Sequence, residues 1–236
     1  MSRPYGVLVE YVEVARSRSE RGELVLRRRG GDDGPRVLEL RANGIYVMDT
    51  SEIGSERAMA EAALELVDTP ARVLVGGLGL GFTLDRVLAD TRVERCDVVE
   101  LEPALVAWMR DGTIPHGPQL LADSRARVVV ADVASVVTEA GPSTYDVVLL
   151  DVDNGPGHLV HDANVALYRG PFLASVRERL SAGGALVVWA ANRSPELLAE
   201  LGSAFDVVEE RAHEVRLQDR DEHYWLYVGR RVASEA

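Results

Sequence analysis

The sequence predicts a doubly wound α/β domain that follows a small N-terminal β unit. From about residue 51 onwards, strand-like runs alternate with helix-like segments, the strand-like runs are nearly continuous Val and Leu, and a glycine-rich turn follows the first of them. Near-continuous apolar strands are expected where helices cover both faces of a parallel sheet, and regular strand–helix alternation indicates a doubly wound fold. We therefore divide the chain into residues 1–50 and 51–236.

Residues 1–50 are predicted to form short antiparallel strands. Runs rich in β-branched and apolar residues at 7–14, 24–26, 37–40 and 45–48 are separated by polar or glycine-containing segments. Asn43 and Gly44 stand between two of these runs and favour a tight hairpin, because both residues tolerate a positive φ. Exposed strand edges of such a unit can pair with a second copy, so we expect a homodimer.

The rest of the chain is predicted to alternate between strands and helices. Ser55 precedes an apolar helical pattern that stops near Pro70, which predicts a capped helix. Strands are predicted at 72–75, 96–100, 127–130, 145–150 and 185–189, and helices at 80–88, 103–110, 133–139, 167–180 and 195–205. Two further strand-like runs, 205–210 and 223–228, have no obvious helix between them, which predicts a C-terminal antiparallel hairpin.

Composition and charge argue against several classes of protein. A single cysteine, Cys96, rules out an intrachain disulfide, and its apolar surroundings predict a small buried side chain. The formal net charge of −12 opposes a broad phosphate-binding surface, so a nucleic-acid partner is not expected. No apolar run approaches the ~20 residues of a membrane span, and the first residues lack a signal-like pattern. We therefore expect a cytoplasmic protein with no membrane partner.

A glycine-rich turn gives the first indication of a cofactor. Gly77, Gly79 and Gly81 follow the strand predicted at 72–75 and precede a helix. Without side chains, the backbone amides of such a turn can approach a cofactor at the positive end of the helix. Turns of this kind bind nicotinamide or S-adenosyl cofactors, and a tight turn without a ligand is the structural alternative. The nicotinamide pattern requires glycine where Phe82 stands, which favours an S-adenosyl cofactor.

One acidic residue ends the second predicted strand of this domain, and another follows the third. Glu100 lies 19 residues after Gly81, at a position where a carboxylate accepts hydrogen bonds from ribose hydroxyls. Glu102 should point to the other side, because side chains alternate in extended segments. Asp132 follows the third strand and either accepts a hydrogen bond from an adenine amino group or caps the next helix. The sequence leaves both roles of Asp132 open.

Two aspartates follow the fourth predicted strand and are the predicted catalytic residues, Asp151 and Asp153. Ligands of open α/β sheets bind beyond the carboxyl ends of the strands, and a carboxylate there can orient or deprotonate an amine. The structural alternative is a turn stabilised by Asp, Asn, Gly and Pro. His158 and His161 follow, but no further ligands stand at a tetrahedral spacing, so we predict no metal site.

Together these motifs resemble the spermidine synthase-like branch of the class I S-adenosylmethionine-dependent transferases. The resemblance runs from about residue 38 to residue 230 and rests on the segments 73–81, 98–102, 129–132 and 146–156. It implies a Rossmann-like methyltransferase fold with a β-rich start and an antiparallel tail. It also implies that Glu100 binds the cofactor ribose, that Asp132 lies near adenine and that Asp151 is the catalytic acidic residue.

Features typical of the polyamine enzymes are changed in this chain. Leu80 stands where the family carries an aspartate inside the glycine turn, and the Tyr-His-Glu helix motif is replaced by Met59, Ala60 and Glu61. A dication needs several carboxylates to offset its desolvation. The sequence therefore favours methyl transfer from S-adenosylmethionine to a small acceptor, with an amine as the candidate nucleophile. The alternatives are aminopropyl transfer from decarboxylated S-adenosylmethionine, a non-catalytic binding or assembly protein and, more distantly, a nicotinamide oxidoreductase.

Overall fold

A computed structural model describes residues 11–30, 36–153, 155–157, 159, 162–217 and 220–233. The chain divides into two compact units, Met1–Glu52 and Ile53–Ala236. His158, His161 and the first part of the strand predicted at 7–14 lie outside the described residues. Within the described part of the chain, no helix has both the length and the apolar character needed to cross a membrane.

The first unit contains a four-stranded antiparallel sheet. Its strands follow each other in chain order: β1 (Tyr11–Ser19), β2 (Gly22–Arg29), β3 (Val37–Ala42) and β4 (Ile45–Asp49). Asn43 and Gly44 have φ values of 52° and 78°, as the predicted hairpin between β3 and β4 requires. Arg27 on β2 pairs with the buried Glu39 on β3 at 2.7 Å. The homodimer expected through this unit stays a prediction.

The second unit alternates helices and strands as the sequence predicts. Its elements are α1 (Gly54–Glu65), β5 (Arg72–Gly76), α2 (Phe82–Leu88), β6 (Arg95–Glu100), α3 (Pro103–Asp111), α4 (Gly117–Leu121), β7 (Ala126–Val130), α5 (Val133–Glu139), β8 (Tyr145–Leu150), a 3-10 helix (Asp162–Tyr168), α6 (Gly170–Arg179), β9 (Leu180–Ala190), α7 (Pro195–Ala204), β10 (Val207–Leu217) and β11 (Arg220–Arg230). The predicted Ser55 cap is wrong, because Ile53 occupies the cap position of α1 and Ser55 lies within the helix.

Seven strands form one sheet in the order β10-β11-β9-β8-β5-β6-β7. Strands β5 to β9 are parallel, whereas β11 is antiparallel to β9 and to β10. The doubly wound fold with its C-terminal antiparallel hairpin is therefore confirmed. The chain runs outwards from β5 through β6 to β7 and then returns to β8, so the strand order reverses between β5 and β8. Ligands of such sheets bind beyond the carboxyl ends of the strands at this reversal.

Helices cover both faces of the sheet. Leu150 and Val188 lie on one face and belong to an apolar core with α5, α6 and α7. Because side chains alternate along a strand, Leu149 and Val187 lie on the opposite face. Helices α1 and α2 contact the central strands, with α1 over β8 and β9 and α2 over β5 and β6. Burial on both sides explains why these strands consist of nearly continuous apolar runs.

Candidate active site

The turn after β5 brings its backbone into close contact with the segment that follows β8. Gly77, Gly79 and Gly81 have φ values of 97°, 50° and 88°, in the left-handed region that favours glycine. A Cβ on Gly77 would lie 2.1 Å from the carbonyl oxygen of Asp151. No other residue fits at Gly77 without displacing that backbone. The two chain segments on either side of the strand-order reversal are therefore in direct contact.

A histidine from a distant loop contacts the glycine turn. His116 Nε2 lies 2.6 Å from the carbonyl oxygen of Leu80, and its ring stacks on Phe82 with ring centroids 5.3 Å apart. The Leu80 residue itself is completely buried. Phe82, which the sequence analysis used only against a nicotinamide pattern, therefore also packs beside the turn.

Glu100 ends β6 and is hydrogen-bonded to the glycine turn. Its Oε2 accepts the backbone N–H of Leu78 at 2.9 Å, and its Oε1 accepts the N–H of Glu102 at 2.8 Å. Burial raises the pKa of the Glu100 carboxyl, and these backbone hydrogen bonds oppose part of that rise. A carboxylate has about four acceptor positions, so Glu100 retains capacity for further donors such as hydroxyl groups.

Asp132 lies at the same edge of the sheet as Glu100, because Glu100 on β6 is opposite Val130 on β7. Its Oδ1 accepts the backbone N–H of Ala134 at 2.8 Å, and it occupies the N-cap position of α5. Of the two roles that the sequence left open, helix capping is present in the structure. Contact with an adenine group stays a prediction.

Asp151 directly follows β8 and is bound to the first turn of α2. Its Oδ2 accepts the hydroxyl of Thr83 at 2.8 Å, and its backbone N–H donates to the carbonyl of Gly76 at 2.8 Å. Part of the residue is exposed, yet desolvation raises the pKa of its carboxyl, and the Thr83 hydrogen bond opposes only part of that rise. A raised pKa makes a carboxylate a better proton acceptor near neutral pH.

Asp153 lies beside Asp151 in a strained turn. Its φ is 57°, which is uncommon for a residue with a side chain, and its Oδ2 accepts the Asn164 amide at 2.7 Å. The hydroxyl of Tyr168 donates to the Val152 carbonyl at 2.7 Å. Burial, followed by the charges of Asp153 and Asp151, raises the pKa of Tyr168. The two aspartates and this tyrosine therefore form one cluster after β8.

Several of these contacts were missed by the sequence analysis. Thr83 is the second residue of the helix after the glycine turn, and a hydroxyl at that place is a pattern that could have been noticed. His116 is 36 residues from Leu80, so no local pattern predicts their contact. Within the described residues, no group of three or more His, Cys, Asp or Glu side chains is arranged to hold a metal ion.

Comparison with known proteins identifies the family. Residues 52–208 match the model of the spermine/spermidine synthase domain, and the chain therefore belongs to this family. It is 33% identical to polyamine aminopropyltransferase 2 of Pseudomonas aeruginosa over 157 residues, which cover 65% of this chain and 42% of that protein. It is 30% identical to putrescine N-methyltransferase 3 of Nicotiana tabacum over 118 residues, covering 50% of this chain and 29% of that protein. The chain thus matches less than half the length of these curated relatives.

Solved spermidine synthases have the same fold. The structure of a spermidine synthase in complex with the transition-state analogue AdoDATO gives a TM-score of 0.76 at 17% identity, covering 94% of this chain and 74% of that chain. The enzyme of Thermotoga maritima gives 0.72 at 16% identity, with coverage of 94% and 73%. The family resemblance and the class I methyltransferase-like fold are therefore confirmed. Membership of a transferase family supports the enzyme prediction, but the methyl-transfer interpretation has less support than its aminopropyl alternative.

Proposed function

We propose that the chain transfers an aminopropyl group from decarboxylated S-adenosylmethionine to an amine acceptor. The observation that carries this proposal is the pair of carboxylates on either side of the glycine turn. Glu100 accepts the N–H of Leu78 within the turn, and the Asp151 carboxylate accepts the hydroxyl of Thr83 in the helix that follows the turn. Membership of the spermine/spermidine synthase family and the similarity to a polyamine aminopropyltransferase support the aminopropyl group as the one transferred.

The residues around the turn fit an S-adenosyl group. Gly77 and Gly79 present backbone without side chains, and Glu100 has acceptor capacity for the two ribose hydroxyls. Asp132 lies at the next strand end, where it can accept the adenine amino group in addition to capping its helix. The cofactor supplies a sulfonium, whose positive charge makes the attached carbon electrophilic.

Asp151 orients the acceptor amine and accepts its proton. The amine nitrogen forms a bond to the aminopropyl carbon as the carbon–sulfur bond breaks, which leaves methylthioadenosine as a neutral thioether. The Thr83 hydroxyl fixes one carboxylate oxygen of Asp151, so the other oxygen is available to the amine. The released proton passes from Asp151 to solvent. Aligned approach of the two reacting atoms supplies a large part of the rate, and the nearby charge of Asp153 favours a cationic acceptor.

Methyl transfer from S-adenosylmethionine is the second candidate. Two observations favour it: Leu80 is fully buried at the position where the family resemblance places an amine-anchoring aspartate, and putrescine N-methyltransferases of Nicotiana are among the relatives. The same carboxylate, Asp151, would then align the acceptor with the methyl carbon.

Identification of the nucleoside product tests both candidates. The protein is incubated with each cofactor in turn and with a panel of amines. Methylthioadenosine formed from the decarboxylated cofactor supports the proposal, whereas S-adenosylhomocysteine formed from the ordinary cofactor supports methyl transfer. Cofactor binding without turnover across the panel would indicate a non-catalytic binding protein. Failure to bind either cofactor would contradict the proposed site.

A further inference from the structure

Among the residues that the structure describes, a buried hydrogen-bond donor near Asp151 has no partner. Trp189 is the penultimate residue of β9 and is only 9% exposed. Its indole Nε1 is buried and has no hydrogen-bond partner among the residues that the structure describes. Buried N–H groups are almost always paired with protein, with water or with a ligand. The donor therefore indicates that an acceptor atom binds at this place.

The register of the sheet places Trp189 beside Asp151. Strands β8 and β9 are parallel, with Leu150 opposite Val188. The next residues along the two strands are Asp151 and Trp189, which are therefore neighbours. Leu150 and Val188 face the core with α5, α6 and α7, so the two neighbours face the opposite side. The hydrogen bond from Thr83 on α2 to Asp151 agrees with this assignment.

An aromatic ring packs against Trp189, and the helix that contacts β8 and β9 carries a buried acidic residue. The ring of Tyr224 lies against that of Trp189, with centroids 4.9 Å apart and a 53° angle between the planes. Helix α1 contacts β8 and β9, and its first turn contains Glu56, which is 8% exposed. A short connection joins the end of α1 to the start of β5, so the first turn of α1 lies towards the carboxyl edge of the sheet. Aromatic faces and buried carboxylates together favour a cationic amine.

We propose that Asp151, Trp189, Tyr224 and Glu56 form an acceptor subsite for a small amine that also carries a neutral oxygen, either a hydroxyl or a carbonyl, which accepts the Trp189 indole N–H. This inference rests on the proposed function and specifies the class of its acceptor. A protonated amine offers only donors and cannot pair with the indole. A carboxylate on the acceptor would be repelled by the carboxylates of the subsite. A neutral oxygen meets both conditions.

Putrescine and hydroxyputrescine are a matched pair of acceptors for the test, because they differ by one hydroxyl. In the wild-type protein, the KM for hydroxyputrescine should be about 10-fold lower than that for putrescine, the effect of one hydrogen bond to an otherwise unpaired donor. Trp189→Phe should reduce this ratio to about one, because phenylalanine has no ring N–H to donate.

Trp225→Phe is the control variant, because Trp225 packs against the core on the other face of the sheet. It should keep the wild-type preference for hydroxyputrescine. Equal KM values for the two acceptors in the wild-type protein would overturn the subsite. A preference that persists in Trp189→Phe would overturn the role of the indole.

A binding measurement separates this inference from the proposed function. The chain has three tryptophans, Trp108, Trp189 and Trp225, and comparison with Trp189→Phe assigns the indole N–H resonance of Trp189 in nitrogen-edited NMR spectra. In the presence of methylthioadenosine, hydroxyputrescine should shift this resonance and putrescine should not. A shift without any turnover would leave the subsite standing and contradict the proposed function. Turnover without any shift of the Trp189 resonance would contradict the subsite alone. A bound water that already accepts the indole N–H would give this result.

Discussion

The two ends of strand β8 carry aspartates in opposite electrostatic surroundings. At the amino end, Asp146 accepts the backbone N–H and the guanidinium of Arg72 and the hydroxyl of Ser181. At the carboxyl end, Asp151 accepts the neutral hydroxyl of Thr83. Burial alone would raise the pKa of both carboxyls. The hydrogen bonds of Arg72 and Ser181 outweigh it at Asp146, whose pKa is lowered, whereas the pKa of Asp151 stays raised.

This difference shows how one strand can hold a structural carboxylate and a reactive one. Asp146 is stabilised as an anion by a cation 2.8 Å away, so it has little tendency to take up a proton near neutral pH. Asp151 is desolvated, and its described contacts include no such cation. Of the two aspartates it is therefore the better proton acceptor. Our proposal assigns the reactive role to the carboxyl end of β8, because ligands of open α/β sheets bind beyond the carboxyl ends of the strands near the reversal.

The largest expected effect is the loss of catalysis when Asp151, at the carboxyl end of β8, is substituted. Asp151→Asn keeps the shape of the side chain but cannot accept the proton of the amine, so kcat should fall about 1,000-fold. The dissociation constant of the cofactor should change by less than about 3-fold, because Asp151 is not among the residues that hold it in our proposal. Steady-state kinetics and equilibrium dialysis measure the two quantities. The control is Asp146→Asn, which should keep kcat; an equal loss in both variants would remove the distinction between the two ends.

The free energy of unfolding should respond to the two substitutions in the opposite order, with the larger effect at Asp146. Asp146→Asn leaves the Arg72 guanidinium without its anion, and we expect it to lower the free energy of unfolding by about 2 kcal/mol. Asp151→Asn removes a desolvated charge and should leave that free energy unchanged or raise it. Urea unfolding at neutral pH followed by circular dichroism measures both. A larger loss of stability in Asp151→Asn than in Asp146→Asn would show that the buried carboxyl has a structural role.

The sequence predicted which residues lie at the carboxyl ends of the strands, because these positions depend on local patterns. Glycine spacing, strand ends and the terminal hairpin can all be recognised within short segments, and Glu100 and Asp151 both lie beside the glycine turn. It could not predict partners that come from distant parts of the chain. Arg72 is 74 residues from Asp146, and the neighbourhood of Asp151 and Trp189 depends on the register between two strands.

Two other predictions depended on only a few positions. The Ser55 cap was expected because serine precedes an apolar helical pattern, but the helix begins earlier and encloses the serine. Methyl transfer was favoured because Leu80 replaces an acidic residue and because Met59, Ala60 and Glu61 replace a Tyr-His-Glu motif. The structure buries Leu80 completely, and the family supports the aminopropyl alternative more strongly. A few replaced residues therefore predicted less about chemistry than the order of several motifs did.

A smaller effect should separate the two ends of strand β6, which lies two strands away from β8 in the sheet. Glu100 lies at its carboxyl end, and Glu100→Ala should weaken cofactor binding about 10-fold, because hydrogen bonds to ribose hydroxyls would be lost. Near the amino end, Asp97 pairs with Arg95 at 2.7 Å, and Asp97→Asn should leave cofactor affinity unchanged. Equilibrium dialysis with labelled cofactor compares the two variants. Wild-type affinity in Glu100→Ala would contradict the assignment of Glu100 to the ribose.

The smallest expected effect is the pH dependence of stability, which should have opposite signs at Asp146 and Asp151. The folded pKa of Asp146 lies below its ordinary value of 3.8, so its stabilisation is full above that value and is lost as the pH falls through the folded pKa. The folded pKa of Asp151 lies above 3.8, so its protonated form favours folding at low pH and this contribution is lost as the pH rises through the folded pKa.

Urea unfolding of the wild-type protein and of the two asparagine variants, between about pH 3 and pH 7, measures this dependence. Relative to the wild-type protein, Asp146→Asn should be least destabilising at the acid end, because protonation there removes the anion that Arg72 stabilises. Asp151→Asn should become relatively more favourable as the pH rises, because the ionised Asp151 of the wild-type protein is desolvated. If the difference between wild type and Asp151→Asn stayed constant with pH, Asp151 would titrate like an exposed carboxyl. Desolvation would then not distinguish Asp151 as the reactive end of β8.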